Sequence, residues 1–240
     1  MDDIKKLQDL IDKSNKIVFF GGAGVSTESG IKDFRGKNGL YQEKNKFYNL
    51  PPEYLLSHDC LINEPEIFFE YYKDKMDARK YEPNITHKYL KKLEDMGKLK
   101  AIVTQNIDGL HQKAGSKNVL EIHGTTYKGH CMKCNKEYSG DIIFEKNGIP
   151  KCDCGGIIRP NVVLYGEMLP DDFIKAREYI SKADLLIVAG SSLTVQPASS
   201  LVELFNGKHL VIINLDSTPY DYLAELVIHK KLGDIFSKLK

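Results

Sequence analysis

The sequence predicts an α/β protein, a parallel sheet covered by helices on both faces, with a smaller second domain built from two insertions. Three observations lead there. Apolar runs of strand length recur at residues 16–20, 100–106, 120–124, 185–190 and 210–216. Amphipathic stretches of ten or more residues separate several of them, the pattern of strand–helix–strand units that close a parallel sheet. Two segments, 37–82 and 126–157, break the alternation.

Taken in order, the first stretch, MDDIKKLQDLIDKSNK, reads as an amphipathic helix with no apolar core of signal-peptide length. KIVFF (16–20) follows as a strand buried on both faces, and it empties into a glycine cluster. Gly22, Gly24 and Thr27 spell G-x-G-x-x-T. That opens like a dinucleotide-binding turn but lacks the third glycine, and no helix-then-strand pattern ending in an acid follows. Residues 37–82 are rich in Tyr, Phe, Pro and Asn and read as loop plus helices, PEIFFEYYKDKM (65–76) being the clearest. Helices are then expected at 86–97, 172–183 and 197–207, between the strands KAIVTQN, LEIHG, LLIVAG and LVIINLD. The main domain is expected to comprise residues 1–36, 83–125 and 158–240, Rossmann-like in character. The helical insertion 37–82 and a metal-binding module at 126–157 form the smaller domain. Polar or glycine residues close the strands repeatedly, as GGAG, TQNID, HG, GSS and NLD. Ligands on parallel sheets bind beyond the carboxyl ends of the strands, so these clusters predict one shared crevice.

The formal charge of +1 on 240 residues gives no bulk electrostatic reason to expect a nucleic-acid or anionic-membrane partner. No run approaches the ~18 apolar residues of a membrane span, and a soluble cytoplasmic protein is expected. Of five cysteines, four fall between 131 and 154, as Cys131-x2-Cys134, seventeen residues, then Cys152-x-Cys154. Two close thiolate pairs suit tetrahedral zinc, and a closed four-sulfur shell leaves no position for water or substrate, so the ion is expected to be structural. The second pair is tighter than the usual C-x2-C, and Gly155 and Gly156 supply backbone freedom for it. His130 adjoins the first pair as an alternative ligand, and redox-active cysteines are the alternative reading. Cys60 stands alone and reads as a small apolar residue.

GAGVS (22–26), GIKDFRG (30–36), TQNIDGLH (104–111), HG (123–124), the two cysteine pairs and GSSLTVQPA (190–198) occur in an order that resembles the sirtuins, in their bacterial form. Lys32 stands where that family usually has proline, and the C-x-C pair is a second departure. The resemblance implies an NAD-dependent protein-lysine deacetylase with NAD as co-substrate and one structural zinc. It puts NAD against Gly22, Ala23, Gly24, Thr27, Phe34, Arg35, Gln105, Asn106, Ile107, Asp108, His123, Ser191, Ser192 and Asn214, with Asp234 and Ile235 near adenine. Asp108 and the Ile107 backbone would hold the nicotinamide carboxamide, Phe34 would lie beside the ring, and Asn106 would position the ribose or a water.

His123 would act as general base on a ribose hydroxyl after the acyl oxygen has displaced nicotinamide, and its near-neutral pKa suits that work. Asn106 and Asp108 complete the implied catalytic set, and His111 is expected to be structural. The acetyl-lysine segment would lie extended between residues 161–167 and 192–196 by strand addition, against Val163, Tyr165, Gly166, Glu167 and Val195. For Val163 and Tyr165 the alternative, ordinary strand core, stays open at this point. Desuccinylating sirtuins carry Tyr-x-x-Arg in the small-domain helix. The corresponding stretch here is expected to be Tyr71-Tyr72-Lys73-Asp74, which favours neutral acyl groups. A mono-ADP-ribosyltransferase and a non-catalytic NAD-sensing module are the competing functions.

Overall fold

The computed structural model describes residues 3–34, 36, 39–40 and 49–240. The chain begins with α1 (Asp3–Lys13), whose Leu7, Leu10 and Ile11 fall on one face and are buried. After β1 (Ile17–Gly21) come two short 3₁₀ turns and then the helical insertion, α2 (Pro52–Leu55), α3 (His58–Asn63) and α4 (Pro65–Met76). Proline opens α2 and α4, where its missing N–H costs nothing. Ser57 caps α3 by accepting the Cys60 N–H at 3.0 Å. Next are α5 (Ile85–Asp95), β2 (Leu99–Thr104), α6 (Leu110–Lys113) and β3 (Val119–Glu121). The cysteine-bearing segment supplies β4 (Gly124–Cys131), β5 (Glu137–Ser139), α7 (Asp141–Glu145) and β6 (Ile158–Val162). Finally α8 (Asp171–Lys182), β7 (Leu185–Ala189), β8 (His209–Ile213), β9 (Leu226–Ile228) and α9 (Leu232–Phe236) complete the chain.

The main sheet has the order β3-β2-β1-β7-β8-β9, and every pairing in it is parallel. Ile17 and Phe19 of β1 pack with α1, α5 and α9 on one face. Val18 and Phe20 pack with α8 on the other. Two covered faces explain why the strand reads as an unbroken apolar run. The strand order reverses between β1 and β7, and this switch point is where a crevice opens in such sheets.

Two parts of the main domain differ from expectation. β9, three residues long, carried no periodic signal. The stretch expected to be a helix at 197–207 is a 3₁₀ segment, Ala198–Leu204. There the Ser200 hydroxyl bonds back to the Pro197 carbonyl at 2.7 Å, a local alternative that favours the tighter turn.

A second sheet, antiparallel and ordered β5-β4-β6, carries the cysteines. β6 pairs with β4 from Ile158 to Val162, so this sheet runs past the boundary expected at 157. Its apolar side is shared: Leu55, Leu61, Phe68 and Tyr72 of the insertion form one core with Ile143, Ile158, Val162 and Leu164. Among the described residues no helix is long and apolar enough to cross a membrane.

Candidate active site and metal centre

Beyond the ends of β1 and β7 the backbone continues the sheet hydrogen bonding, with Gly22 N–H donating to Ala189 and Gly24 N–H to Gly190. The two glycines are required by this contact. A Cβ on Gly22 would stand 2.7 Å from the Gly190 carbonyl oxygen, and one on Gly24 2.7 Å from Gly190 Cα. The glycine cluster therefore lets two loops press together at the switch point, and the cleft opens directly above them.

That cleft is about 1270 Å³ in volume. It is lined by Gly22, Ala23, Gly24, Thr27, Phe34, Gln105, Asn106, Ile107, Asp108, His123, Ser191, Ser192 and Asn214, together with Val163, Tyr165, Gly166, Glu167 and Val195. Five of these loops follow β1, β2, β3, β7 and β8, whose carboxyl ends point one way, and the sixth follows β6 of the antiparallel sheet.

The floor is a directed hydrogen-bond chain. Asn106 Nδ2 donates to Ser26 Oγ at 3.1 Å, and Ser26 Oγ donates to Asp108 Oδ2 at 2.6 Å. Asp108 Oδ1 accepts the Leu110 N–H at 2.9 Å. Burial pushes the Asp108 carboxyl above its ordinary value, and the bonds from Ser26 and Leu110 partly offset this. Gln105 Nε2 donates to Ser191 Oγ at 2.9 Å, tying the β2 loop to the β7 loop. His123 Nδ1 lies 3.0 Å from the Gln105 carbonyl oxygen. A carbonyl only accepts, so Nδ1 carries the proton and Nε2 is left as the basic nitrogen. Burial lowers the His123 pKa, with the Gln105 bond opposing, so the ring is neutral at pH 7.

Residues 162–165 leave β6 and run along the cleft. Val162 and Leu164 turn into the shared core while Val163 and Tyr165 alternate outward, and Tyr165 is 40% exposed. Val163 N–H donates to the His123 carbonyl at 2.9 Å, so this segment is tied to the backbone of the histidine itself. The opposite bank is Ser191–Val195.

The four cysteine sulfurs come together within 4.8 Å of one another. Sγ of Cys131 and Cys154 are 3.4 Å apart, and those of Cys134 and Cys152 3.7 Å. A tetrahedral shell with metal–sulfur bonds of about 2.3 Å has edges of about 3.8 Å, so the cage fits zinc. The C-x-C turn closes through Gly155 at φ +81° and through Gly156, where a Cβ would stand 2.6 Å from Cys131 Sγ. The Tyr138 hydroxyl donates to Cys152 Sγ at 3.0 Å. His130 bonds Asn161 Oδ1 at 2.6 Å and lies outside the tetrad. Cys60 is buried in the shared core, and burial raises its thiol to about 11.

A family model described as the Sir2 family matches residues 22–197. The chain belongs to the Sir2 family. An NAD-dependent protein deacetylase of Clostridium perfringens is 54% identical over 243 residues, covering 100% of this chain and 99% of the relative. One from Staphylococcus epidermidis is 47% identical, covering 99% and 96%. A solved Sir2 structure with a p53 peptide and NAD+ superposes with a TM-score of 0.86 at 40% identity, covering 98% and 96%. A Sir2 structure bound to an acetylated peptide gives 0.87 at 37%, covering 98% and 96%.

Within this Sir2 chain some expected residues sit elsewhere. Asp234 is exposed and Ile235 is buried in the core under the sheet, and neither lines the cleft. Leu232, Ile235 and Phe236 form the inward face of α9, and the cleft end is instead lined by Lys230, Lys231 and Leu232. Arg35 lies outside the described residues. Glu167 reaches the cleft, but its carboxylate is turned into a bonded cluster described below.

On α4 the cleft is lined by Tyr72, Asp74, Lys75 and Met76; Tyr72 is buried, its hydroxyl without a hydrogen-bond partner among the described residues, and Asp74 is paired to Lys75 at 3.1 Å. His111 is buried against His87, ring centroids 4.7 Å apart, in keeping with a structural role. Ser26 was given no role from sequence, although it closes the GAGVS motif. A hydroxyl following a glycine turn was the available signal.

Proposed function

We propose that this chain is an NAD-dependent protein-lysine deacetylase that releases nicotinamide and O-acetyl-ADP-ribose, with His123 as its general base. The observation that carries this reading is the His123 tautomer. Its Nδ1 proton is committed to the Gln105 carbonyl, so Nε2 is available to take a proton inside the same cleft. NAD, when bound, supplies the electrophilic ribose carbon that accepts the acyl oxygen. Ala23, Thr27, Ser191 and Ser192 are read as holding its phosphates and ribose, near the backbone N–H groups of the switch-point loops. Asp108 and the Ile107 backbone orient the carboxamide, and the Asn106–Ser26–Asp108 chain keeps that acid in place.

The relatives named above are protein deacetylases, and the two solved Sir2 proteins hold peptides. By the same reading the peptide lies extended between Val163–Tyr165 and Val195. The helical insertion and the cysteine-bearing sheet act as one small domain, supported by their common core. The cytoplasm is the compartment we infer for it, because four closely grouped cysteines that ligate a metal have to stay reduced.

Mass spectrometry of products from NAD and an acetyl-lysine peptide tests the proposal. Loss of acetyl from the peptide with equimolar O-acetyl-ADP-ribose is expected. An ADP-ribose adduct on the peptide would make it a transferase to side chains, and no release of nicotinamide would make it a binding module.

A further inference from the structure

Glu167 makes more polar contacts than a residue whose task is to touch substrate. Its Oε1 meets His58 Nδ1 at 2.9 Å and Arg159 Nη1. Its Oε2 accepts from Arg159 Nη2 at 2.9 Å and from the Leu164 N–H at 2.9 Å. Burial alone would push this carboxyl up, yet the bonds from Arg159, Leu164 and His58 outweigh it and hold the group down to about 2. The three partners come from two parts of the chain, the 159–164 segment and the helical insertion. Arg159 lies in β6, which pairs with the cysteine-bearing β4; Leu164 lies in the cleft-side strand; His58 opens α3 of the helical insertion.

The same segment is tied on its other groups. Arg159 Nη2 also bonds the Val162 carbonyl at 2.9 Å. Tyr165 donates its N–H to the Leu56 carbonyl and accepts from His58 N–H, both at 3.0 Å. Glu167 N–H returns to the Leu164 carbonyl at 3.0 Å, closing a turn with Gly166 at φ +90°. The backbone N–H groups of Val163, Leu164 and Tyr165 are therefore all held within the protein. Oε2 bonds both the guanidinium and the Leu164 amide, so displacing the carboxylate frees the middle residue of the strand.

We propose that Arg159, Glu167 and His58 form a clamp that holds Val163–Tyr165 extended before substrate arrives, so that they act as positioning residues for peptide binding. The proposal rests on the reading of that strand as the peptide's partner. A strand already ordered spares the peptide the entropy of ordering it, so loss of the clamp falls on peptide affinity. The NAD-side loops carry none of the clamp's bonds and are spared, and the Val163 N–H bond to the His123 carbonyl does not involve the clamp, so the proton transfer is little affected.

Steady-state kinetics with an acetyl-lysine peptide, together with amide hydrogen exchange, tests this on the full chain. Glu167→Ala is expected to raise the peptide KM about tenfold with kcat changed less than about twofold. NAD affinity measured without peptide stays at the wild-type value, and exchange at Leu164 accelerates. Glu167→Gln keeps an oxygen for the Leu164 N–H and is expected to recover part of the peptide KM. Should Glu167→Ala fail to fold, Arg159→Lys and His58→Ala take its place under the same criteria. An unchanged peptide KM, or a fall in kcat alone, in a variant that unfolds cooperatively and binds NAD normally overturns the clamp. If Val163→Ala and Tyr165→Ala both leave the peptide KM at the wild-type value, the strand reading itself fails, and the clamp with it.

Discussion

In the parallel sheet, β1 and β7 bury every residue on both faces. In the antiparallel sheet, β5 buries none, β6 buries alternate positions, and β4 buries only Thr125, Thr126, Gly129 and Cys131. The first region stands on apolar burial and can devote its loop ends to polar work: Asn106, Ser26, Asp108 and His123 are held by bonds that do not carry the fold. The second has little apolar surface of its own. It relies on four sulfurs at one end and on a borrowed core, the helices of the insertion, at the other. Small units of this kind need a metal because too little area is removed from water to offset chain entropy. The cleft lies between the two regions and is lined by residues of both, Asn106, Asp108 and Ser191 from the parallel side and Val163 and Tyr165 from the other.

The largest test of this contrast removes the metal. Serine at Cys131 or Cys152 is expected to abolish zinc content and soluble yield together, since the shared core loses its anchor. Metal analysis and yield are the measurements, and full turnover in a zinc-free folded variant would remove the contrast. His123→Ala probes the opposite region. Turnover is expected to fall ~10²–10⁴-fold with NAD affinity nearly intact, because a truncated base leaves ground-state contacts alone. Isothermal titration and initial rates separate the two, and a variant above about a tenth of wild-type turnover would speak against general-base removal.

A smaller effect concerns the polar groups buried beneath the cleft. Burial lowers His87 to about 4 and His111 well below its ordinary value. Both are neutral when folded, whereas in the unfolded chain they take up protons below about 6.5. Their folded pKa values are depressed, so the unfolded state binds more protons in acid. Stability is therefore complete above pH 6.5 and declines as pH falls from 6.5 towards 4, by up to about 3 kcal/mol for His87. Unfolding midpoints across that range check the sign, and an apolar replacement of His111 is expected to flatten the curve.

The smallest effect lies at the junction. The cleft wall offers Tyr72, Leu40, Leu56, Val162 and Leu164, and the cation that α4 contributes to it, Lys75, is paired to Asp74. A charged acyl end would be left without a buried partner. Acetyl-lysine is expected to exceed succinyl-lysine in kcat/KM by about tenfold or more in matched peptides. Equal values would mean that a cation reaches the acyl end.

The crevice was legible in sequence because its chemistry sits in contiguous motifs. GGAGVS, TQNID, HG and GSS each follow an apolar strand, and parallel strands bring their carboxyl ends to one edge whatever their spacing in the chain. The cysteine spacing was legible for the same reason. Where the expectation slipped, the deciding contact was long-range. Asp234 and Ile235 looked equivalent to their neighbours until α9 turned Ile235 into the core. Tyr72 and Asp74 of α4 both reach the cleft wall, and the packing of that helix in the shared core, not its spacing of residues, sets this.

What the sequence determined by itself is the parallel α/β architecture, the four-thiol metal cage and the set of polar residues offered at strand ends. Local pattern suffices for these, since strand burial, ligand spacing and turn chemistry are set by neighbours in the chain. Tertiary structure alone decided that Gly22 and Gly24 serve contact with Gly190, that His123 presents Nε2, and that Glu167 accepts from both Leu164 and Arg159. Each depends on groups from distant segments meeting within hydrogen-bond or van der Waals distance, and only the folded chain sets those distances.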